Sequence, residues 1–320
     1  MPAILTHDFF GQDAFGAALE VADMMTPPER DAFLLGNQGP DPFFYLALDP
    51  IFGTPFKQVG QRMHHENPSG MLTALVRALT EDSAGDTGVA RAYVAGFICH
   101  YVLDSTMHPF VYFWQNGLAE QGVPGLDQNA AGKVHAEIER DLDEMVLFAK
   151  RNQTILTYRP YERVLKASPR VLIRIGHLYA PLVSELSHTD EADAAWAFPR
   201  ATERFRLIQH LFYAPGIKLD VLSTLERTFT REEFSMYRAM AHRVRPEAKS
   251  DFDNVEHLPW KNPFTGEVSE ASFWDLYEQA LLKVPAALSA LLDGGDVSVA
   301  AHMVTRGKNF SGEVVERVSV

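Results

Sequence analysis

The stretch GFICHYVLDSTMHPF, residues 96–110, carries His100, Asp104 and His108 at steps of four in an apolar run. A four-residue step on an α-helix drifts by only roughly 40°, so the three side chains line one groove. Imidazole and carboxylate are the ligand types that a divalent ion such as zinc prefers. The stretch therefore predicts a helix that presents metal ligands.

Pro109 follows the last of these histidines. Because proline lacks a backbone N–H and clashes with the preceding turn, it predicts the end of the helix. His108 would then be terminal and free to turn toward a different ion. Asp104 lies between two imidazoles, and because each carboxylate oxygen can bind one metal, it is the predicted bridge.

A second four-residue step joins His135 to Glu139. Such a pair on a surface helix is usually a solvated face, but beside the first set we interpret it as a ligand pair. His64 and His65 are adjacent and diverge on any regular element, so one of them is expected to be a ligand. Asp41 lies in the turn Gly-Pro-Asp-Pro, which aspartate favours in any protein, yet the flanking prolines would preorganise its carboxylate.

Helical periodicity dominates the chain and predicts an all-α fold. The helical segments are 11–25, 70–82, 87–104, 128–150, 161–187, 198–212, 217–226, 230–244 and 271–293. Alternating, strand-like pieces are short, such as Val297–Ala301. Segments 36–57 and 245–268 are rich in glycine or proline and are predicted to be irregular.

Composition narrows the function. The chain has 320 residues, with 42 acidic against 29 basic side chains and a net charge of −13. This balance argues against nucleic acid as a partner, which needs a basic surface, and against adhesion to anionic membrane. Cys99 is the single cysteine, so there is no intramolecular disulfide. No apolar run of 18 residues and no secretory leader is seen, so we expect a cytoplasmic protein without stable membrane insertion.

All the histidines with ligand-like spacing fall in the first 150 residues. We therefore interpret residues 1–150 as a metal-binding catalytic half. Residues 151–320 are expected to form a helical C-terminal half packed on it, or one continuous domain with it. The oligomeric state is left open by the sequence.

The order of these ligands along about residues 1–145 resembles that of the zinc-dependent phospholipase C family, which is related to the S1/P1-type trinuclear-zinc nucleases. The loop Leu35–Asp41, the turn His64-x-x-Asn67-Pro68 and the core Gly-Phe-x-x-His-Tyr-x-x-Asp at 96–104 carry the likeness. It implies a phospholipase C/P1 nuclease-like multi-helix domain, here with additional C-terminal helices.

The resemblance also implies two to three Zn²⁺ ions. The implied ligand sets are Asp41, His64, His100 and Asp104 for one ion, His108, His135 and Glu139 for a second, and Asp104, His7 and the N-terminal amine and carbonyl for a third. This chain begins Met1-Pro2 where that family has tryptophan, so Met1 and Pro2 are the less certain ligands, together with His65.

The implied function is hydrolysis of a phosphodiester by metal-activated water, with Asp41 or a metal-bound water taking up the proton and Asp104 shared between ions. The expected substrate is a small phosphodiester or a phospholipid. The alternatives are an S1/P1-like nuclease or other phosphoesterase, or a metal-stabilised helical binding protein without catalysis. An HD-type phosphohydrolase and a ferritin-like di-iron protein fit the ligand spacing less well.

Overall fold

A computed structural model of the chain describes residues 3–49, 51–81, 87–120, 131–213 and 241–316. Within these ranges the regular structure is helical, apart from a short antiparallel hairpin of β1 (Trp260–Lys261) and β2 (Val268–Ser269) and an isolated bridge between Lys308 and Val314, and loops connect these elements. The all-α fold class is confirmed.

The described helices are α1 (Ile4–Ala22), α2 (Pro27–Gly36), α3 (Val59–His65), α4 (Pro68–Glu81), α5 (Thr87–Glu120), α6 (Ala131–Arg151), α7 (Ile155–Tyr158), α8 (Pro160–Arg163), α9 (Pro169–Ser187), α10 (Glu191–Ala194), α11 (Ala197–Phe212), α12 (Phe273–Leu292) and α13 (Val297–Thr305), with 3₁₀ helices at Asp41–Leu48 and Thr54–Phe56.

Most predicted helices are confirmed, with three differences. The predicted helix 161–187 is two helices, because Ser168 accepts a hydrogen bond from the N–H of Val171 and starts α9 afresh. The strand-like piece Val297–Ala301 is helical, since the carboxylate of Asp296 caps the start of α13. The helix predicted at 217–226 lies outside the described residues, as do residues 230–240 of the next one, and residues 241–244 are not helical.

The prediction that Pro109 ends its helix is wrong. α5 runs for 34 residues, with Pro109 inside it. A proline removes one hydrogen bond, the one that would end on the carbonyl four residues earlier. The residues of the turns on both sides are buried or half-buried, so packing keeps the helix intact across that gap. His108 is consequently held on a regular helix.

The chain divides into two compact units, each assembled from three segments. The first takes residues 1–9, 107–164 and 208–276. Its described core is apolar and includes Phe110, Ile138 and Leu142. The ring of Trp260 lies 5.2 Å from that of Phe110, so this one buried residue anchors the β-hairpin to the core.

The carboxylate of Asp143 on α6 organises the first unit. It accepts hydrogen bonds from the backbone N–H groups of Leu5 and Thr6 at 2.9 and 2.7 Å, and from the hydroxyl of Thr6 at 2.6 Å. Nε2 of His242 lies 3.0 Å from it. These N–H groups have no partner inside α1, because they belong to its first turn. Asp143 thus anchors the start of α1 by capping it from another helix.

The second unit takes residues 10–106, 165–207 and 277–320. In it α2 and α5 touch backbone to backbone: a Cβ placed on Gly96 would lie 2.1 Å from the carbonyl oxygen of Phe33 and 2.9 Å from Cα of Gly36. An aromatic cluster packs beside this contact, with the hydroxyls of Tyr93 and Tyr179 2.8 Å apart. Burial raises the pKa of both phenols. The close crossing fixes α5, the helix of the opening stretch.

The units interleave along the chain, and the predicted division of roles between residues 1–150 and 151–320 stays a prediction. Among the described helices, none is both long and apolar enough to cross a bilayer. The predicted cytoplasmic location and the predicted absence of nucleic-acid partners stay predictions. Cys99 is fully buried, and burial raises the pKa of its thiol.

Candidate metal centres

His100 and Asp104 lie one turn apart in the middle of α5, within the second unit, and both are buried. Their Nε2 and Oδ2 atoms are 3.3 Å apart, as the four-residue step predicts. The other ring nitrogen of His100, Nδ1, lies 3.0 Å from the backbone carbonyl of Asn37. Because a carbonyl only accepts, Nδ1 carries the proton and Nε2 faces the aspartate.

Asp41 and His64 reach the same place from other elements of this unit. Asp41 is the first residue of a 3₁₀ helix and not part of a non-helical turn as predicted. His64 ends α3, with Nδ1 2.7 Å from the carbonyl of Gly60 and Nε2 3.0 Å from Oδ1 of Asp41. His65 is exposed while His64 is buried. The geometry therefore favours His64 over His65 as a ligand.

The donor atoms of this cluster lie close enough together to bind one metal ion. The donor atoms of His64, His100 and Asp104 all lie within 4.8 Å of one another, and Oδ1 of Asp41 is 4.0 Å from Nε2 of His100. A tetrahedral zinc with bonds of about 2.0–2.1 Å separates its ligand atoms by roughly 3.3 Å. Histidines whose second nitrogen is held by a carbonyl are typical of metal sites. The four residues fit zinc.

The electrostatics of the cluster reflect the approach of opposite charges. Burial alone would raise the pKa of Asp41, but the hydrogen bond from His64 and the positive charge of His100 bring it below its ordinary value. Burial alone would lower the pKa of His100, but Asp104 raises it above its ordinary value. Without metal, ionised Asp41 and protonated His100 are thus favoured, and a bound cation would take the place of that proton.

Aromatic side chains surround the two histidines. The ring of Phe310 lies 5.0 Å from the ring of His64 and 5.6 Å from that of His100. The ring of Phe44 also packs against His64, with 4.8 Å between the ring centres. Rings at these distances pack against the imidazoles and hold them in place. Sequence reasoning missed Phe310, which lies about two hundred residues from His100 along the chain.

A second cluster lies within the first unit. Oε1 of Glu139 is 3.3 Å from Nε2 of His108 and 3.4 Å from Nε2 of His135. Both separations again match the spacing of ligands around zinc. Nδ1 of His135 lies 2.9 Å from the amide oxygen of Gln115, which holds the ring by its other nitrogen. Gln115 lies twenty residues before His135 and has no feature in the sequence that marks it.

The carboxylate of this second cluster is strongly ionised. Burial alone would raise the pKa of Glu139, yet nearby positive charge, to which His135 contributes, and the hydrogen bonds of His108 and His135 hold it well below its ordinary value. Burial lowers the pKa of His135, and Glu139 offsets only part of this effect. A buried anion between two imidazole nitrogens is what a divalent ion requires.

His7 lies buried in the part of α1 that belongs to the first unit. It follows Leu5 and Thr6, whose N–H groups are held by Asp143. Met1 and Pro2 lie outside the described residues. The third ligand set, with His7, therefore stays a prediction, as does the bridging role of Asp104.

A family model described as zinc-dependent phospholipase C matches residues 17–186, more than half of the 320 residues. The chain belongs to the zinc-dependent phospholipase C family. No curated protein and no solved structure matches the chain.

The matched range of the zinc-dependent phospholipase C family contains both clusters, from Asp41 to Glu139, and extends beyond the region 1–145 expected from motifs. Membership implies zinc as the metal and a hydrolase of the phosphodiesterase type. His7 lies before the matched range. The number of ions and the assignment of each ligand remain predictions that the geometry supports.

Proposed function

We propose that this chain is a zinc-dependent phosphodiester hydrolase of the phospholipase C type, acting on a small phosphodiester or a phospholipid. The supporting observation is the arrangement of Nε2 atoms: His64, His100 and His135 are each held at Nδ1 by an acceptor-only oxygen, and each aims Nε2 at a buried carboxylate. Such preorganisation is typical of metal-binding histidines.

The cluster in the second unit supplies the carboxylates to which we assign roles in the reaction. Asp41 and Asp104 are the carboxylates that converge with His64 and His100 in the second unit. We assign to the carboxylate of Asp41 the orientation of the attacking water and the uptake of its proton. When bound, zinc supplies charge that neutralises the anionic phosphate oxygens and lowers the pKa of water toward neutrality.

Burial of the ligands is part of the proposed mechanism. His100 is wholly inaccessible, and both Asp41 and Asp104 are only 5% exposed. In such surroundings the interaction between the ligands and a cation is weakly screened. The fixed rings and carboxylates therefore need little reorganisation when substrate charge develops, which lowers the barrier.

The test combines metal analysis with turnover. The purified chain should contain zinc by elemental analysis and should hydrolyse p-nitrophenylphosphocholine, with loss on chelation and recovery on adding Zn²⁺. Asp104→Asn should lower kcat by roughly a hundredfold or more, since displacing a ligand misplaces the reacting groups. Asp251→Asn, which changes an exposed carboxylate in the same way, is the matched control.

Further substrates separate the alternatives. Phosphatidylcholine in mixed micelles distinguishes a lipase from an enzyme for small diesters, and a single-stranded oligonucleotide tests the nuclease alternative. Bound zinc without turnover of any diester would favour a metal-stabilised binding protein and would overturn the proposal.

A further inference from the structure

A cleft of about 420 Å³ opens in the second unit, and none of the metal ligands of that unit lines it. One wall is the face of α5 formed by Tyr101, Val102, Ser105 and Thr106. On an α-helix these positions point away from those of His100 and Asp104. The cleft is therefore a separate feature of the helix that carries two of the ligands.

The opposite wall combines an apolar surface with positive charge. The apolar part is formed by alanines of α12 and by the side chains of Met303 and Val304. Lys283, Arg306 and Lys308 bring three cationic groups to the same cleft. None of the described residues that line it is Asp or Glu. In a chain with a net charge of −13, this is a local reversal of sign.

The three cations are close enough to affect one another. Enclosure in the cleft lowers the pKa of Lys283, and the positive charges of Lys308 and Arg306 lower it further. Lys283 donates a hydrogen bond to the hydroxyl of Thr106 at 2.9 Å. Among the described residues no carboxylate forms an ion pair with any of the three. The negative charge of Glu316 is near enough to act on Tyr101, but its carboxylate accepts a hydrogen bond from the hydroxyl of Ser69 at 2.6 Å.

The cleft is built on a fixed backbone. The hydroxyl of Tyr101 donates to the carbonyl of Lys308 at 2.6 Å, and Lys308 also pairs with Val314 in an antiparallel bridge. The N–H of Lys308 donates to the carbonyl of Thr305 at 2.9 Å. Because these contacts hold the segment that carries two of the cations, little order would have to be gained on binding an anion.

We propose that this cleft binds a phosphomonoester that carries an apolar group. A dianion offsets the repulsion among three cations better than a monoanion does, and lysine and arginine are the side chains that recognise phosphate. The alanine and methionine surface accepts the apolar group. The hydroxyl of Thr106, which accepts from Lys283, has its own proton to offer to the phosphate oxygens.

Titration calorimetry of the zinc-loaded full chain with phenyl phosphate tests the proposal. The double variant Arg306→Ala/Lys308→Ala should weaken Kd by roughly tenfold or more, because two charge-assisted contacts are lost. The matched control Lys57→Ala/Lys166→Ala removes the same charge from exposed positions elsewhere in this unit and should leave Kd unchanged. Equal weakening in both variants would mean that binding depends only on the net charge of the chain and not on this cleft, which would overturn the proposal.

Two further measurements locate the binding and its chemistry. With methyl-labelled methionine, phenyl phosphate should shift the NMR signal of Met303, which lines the cleft. Benzoate and phenol should bind more weakly than phenyl phosphate, in that order. Binding that is unchanged in the Arg306→Ala/Lys308→Ala variant and leaves Met303 unshifted would belong to the zinc ligands, and it would overturn the proposal. If benzoate bound as tightly as phenyl phosphate, the proposed preference of the cleft for a dianion would be wrong.

Discussion

The backbone carbonyl of Asn37 lies 3.0 Å from Nδ1 of His100 and decides which nitrogen of that ring faces the metal cluster. Asn37 follows the last residue of α2, and α2 crosses α5 at the contact between Gly36 and Gly96. The orientation of one imidazole thus depends on how closely two helices approach. The glycines around this crossing are therefore the positions where substitution should affect the cluster most.

Gly39→Ala should reduce zinc binding in the second unit. Gly39 has φ of +51°, and a Cβ there would lie 2.2 Å from Cδ2 and 2.6 Å from Nε2 of His100. The new methyl group would push the ring out of its place, and the left-handed backbone would cost a further 1–2 kcal/mol, approximately. Zinc per chain by elemental analysis should fall, with a lower urea midpoint.

The matched control is Gly16→Ala in α1, where a Cβ meets nothing within 4 Å. This change should keep full zinc content and raise stability by about 0.5–1 kcal/mol, the usual gain of alanine in a helix. Full zinc and an unchanged midpoint in Gly39→Ala would show that His100 has room to move.

Gly96→Ala should destabilise the fold through the helix crossing. Its Cβ would lie 2.1 Å from the carbonyl oxygen of Phe33, so α2 and α5 would have to separate. Overpacking of this kind costs about 1–3 kcal/mol, and the shift would be passed to His100 one turn later. Urea unfolding at a fixed zinc concentration measures the loss, since bound metal adds to stability.

Gly117→Ala tests the same exchange on the same helix, at a position where a Cβ meets no atom within 4 Å. It should leave the midpoint equal or higher. If both variants unfolded alike, the close approach of the helices would have no energetic weight.

The sequence predicts what depends on local spacing. His100, Asp104, His135 and Glu139 could be found because a four-residue step has one meaning on a helix, and the helices themselves follow from apolar periodicity. The prediction from Pro109 was wrong because packing keeps α5 helical on both sides of the proline, although proline locally disfavours a helix.

Long-range features could not be predicted in the same way. The carbonyls of Asn37 and Gly60 that orient the histidines belong to backbone that every residue has, so no residue type marks them. Phe310 approaches His100 only after the chain has folded. Gln115 looks like any polar residue until its amide is seen beside His135. The ligands could be read from the sequence, but the groups that orient them could not.

Gln115→Ala should weaken zinc binding in the first unit without removing a ligand. The amide oxygen of Gln115 holds Nδ1 of His135 at 2.9 Å, which keeps Nε2 facing Glu139. Losing such a contact typically costs about 10–100-fold in metal affinity. Competition with a chromophoric zinc chelator measures the change.

Gln279→Ala removes an exposed glutamine from α12 and is the control, expected to bind zinc as the unaltered chain does. Gln115→Glu keeps an acceptor oxygen and should recover most of the affinity. Equal zinc affinity in Gln115→Ala and the unaltered chain would contradict the orienting role.

Asp49→Asn should lower stability in a pH-dependent way. Oδ1 of Asp49 accepts from the backbone N–H of Phe52 at 3.0 Å, and Oδ2 accepts from Arg204 at 2.7 Å. The hydrogen bond from Phe52 and then that from Arg204 hold the pKa of Asp49 below its ordinary value. A carboxyl whose pKa is lowered on folding contributes stability above its unfolded pKa of about 3.9.

That contribution disappears as the pH falls through the lower, folded pKa. The difference in unfolding free energy between the unaltered chain and Asp49→Asn should therefore be constant from neutral pH down to about 5 and shrink below about 4. Urea titrations over a pH series measure it, and zinc loss at low pH cancels because both proteins share the same clusters. Asp251→Asn, at an exposed position, should show no such trend. A difference that stayed constant down to the lowest pH would mean that packing, not the charge of Asp49, holds Arg204 in place.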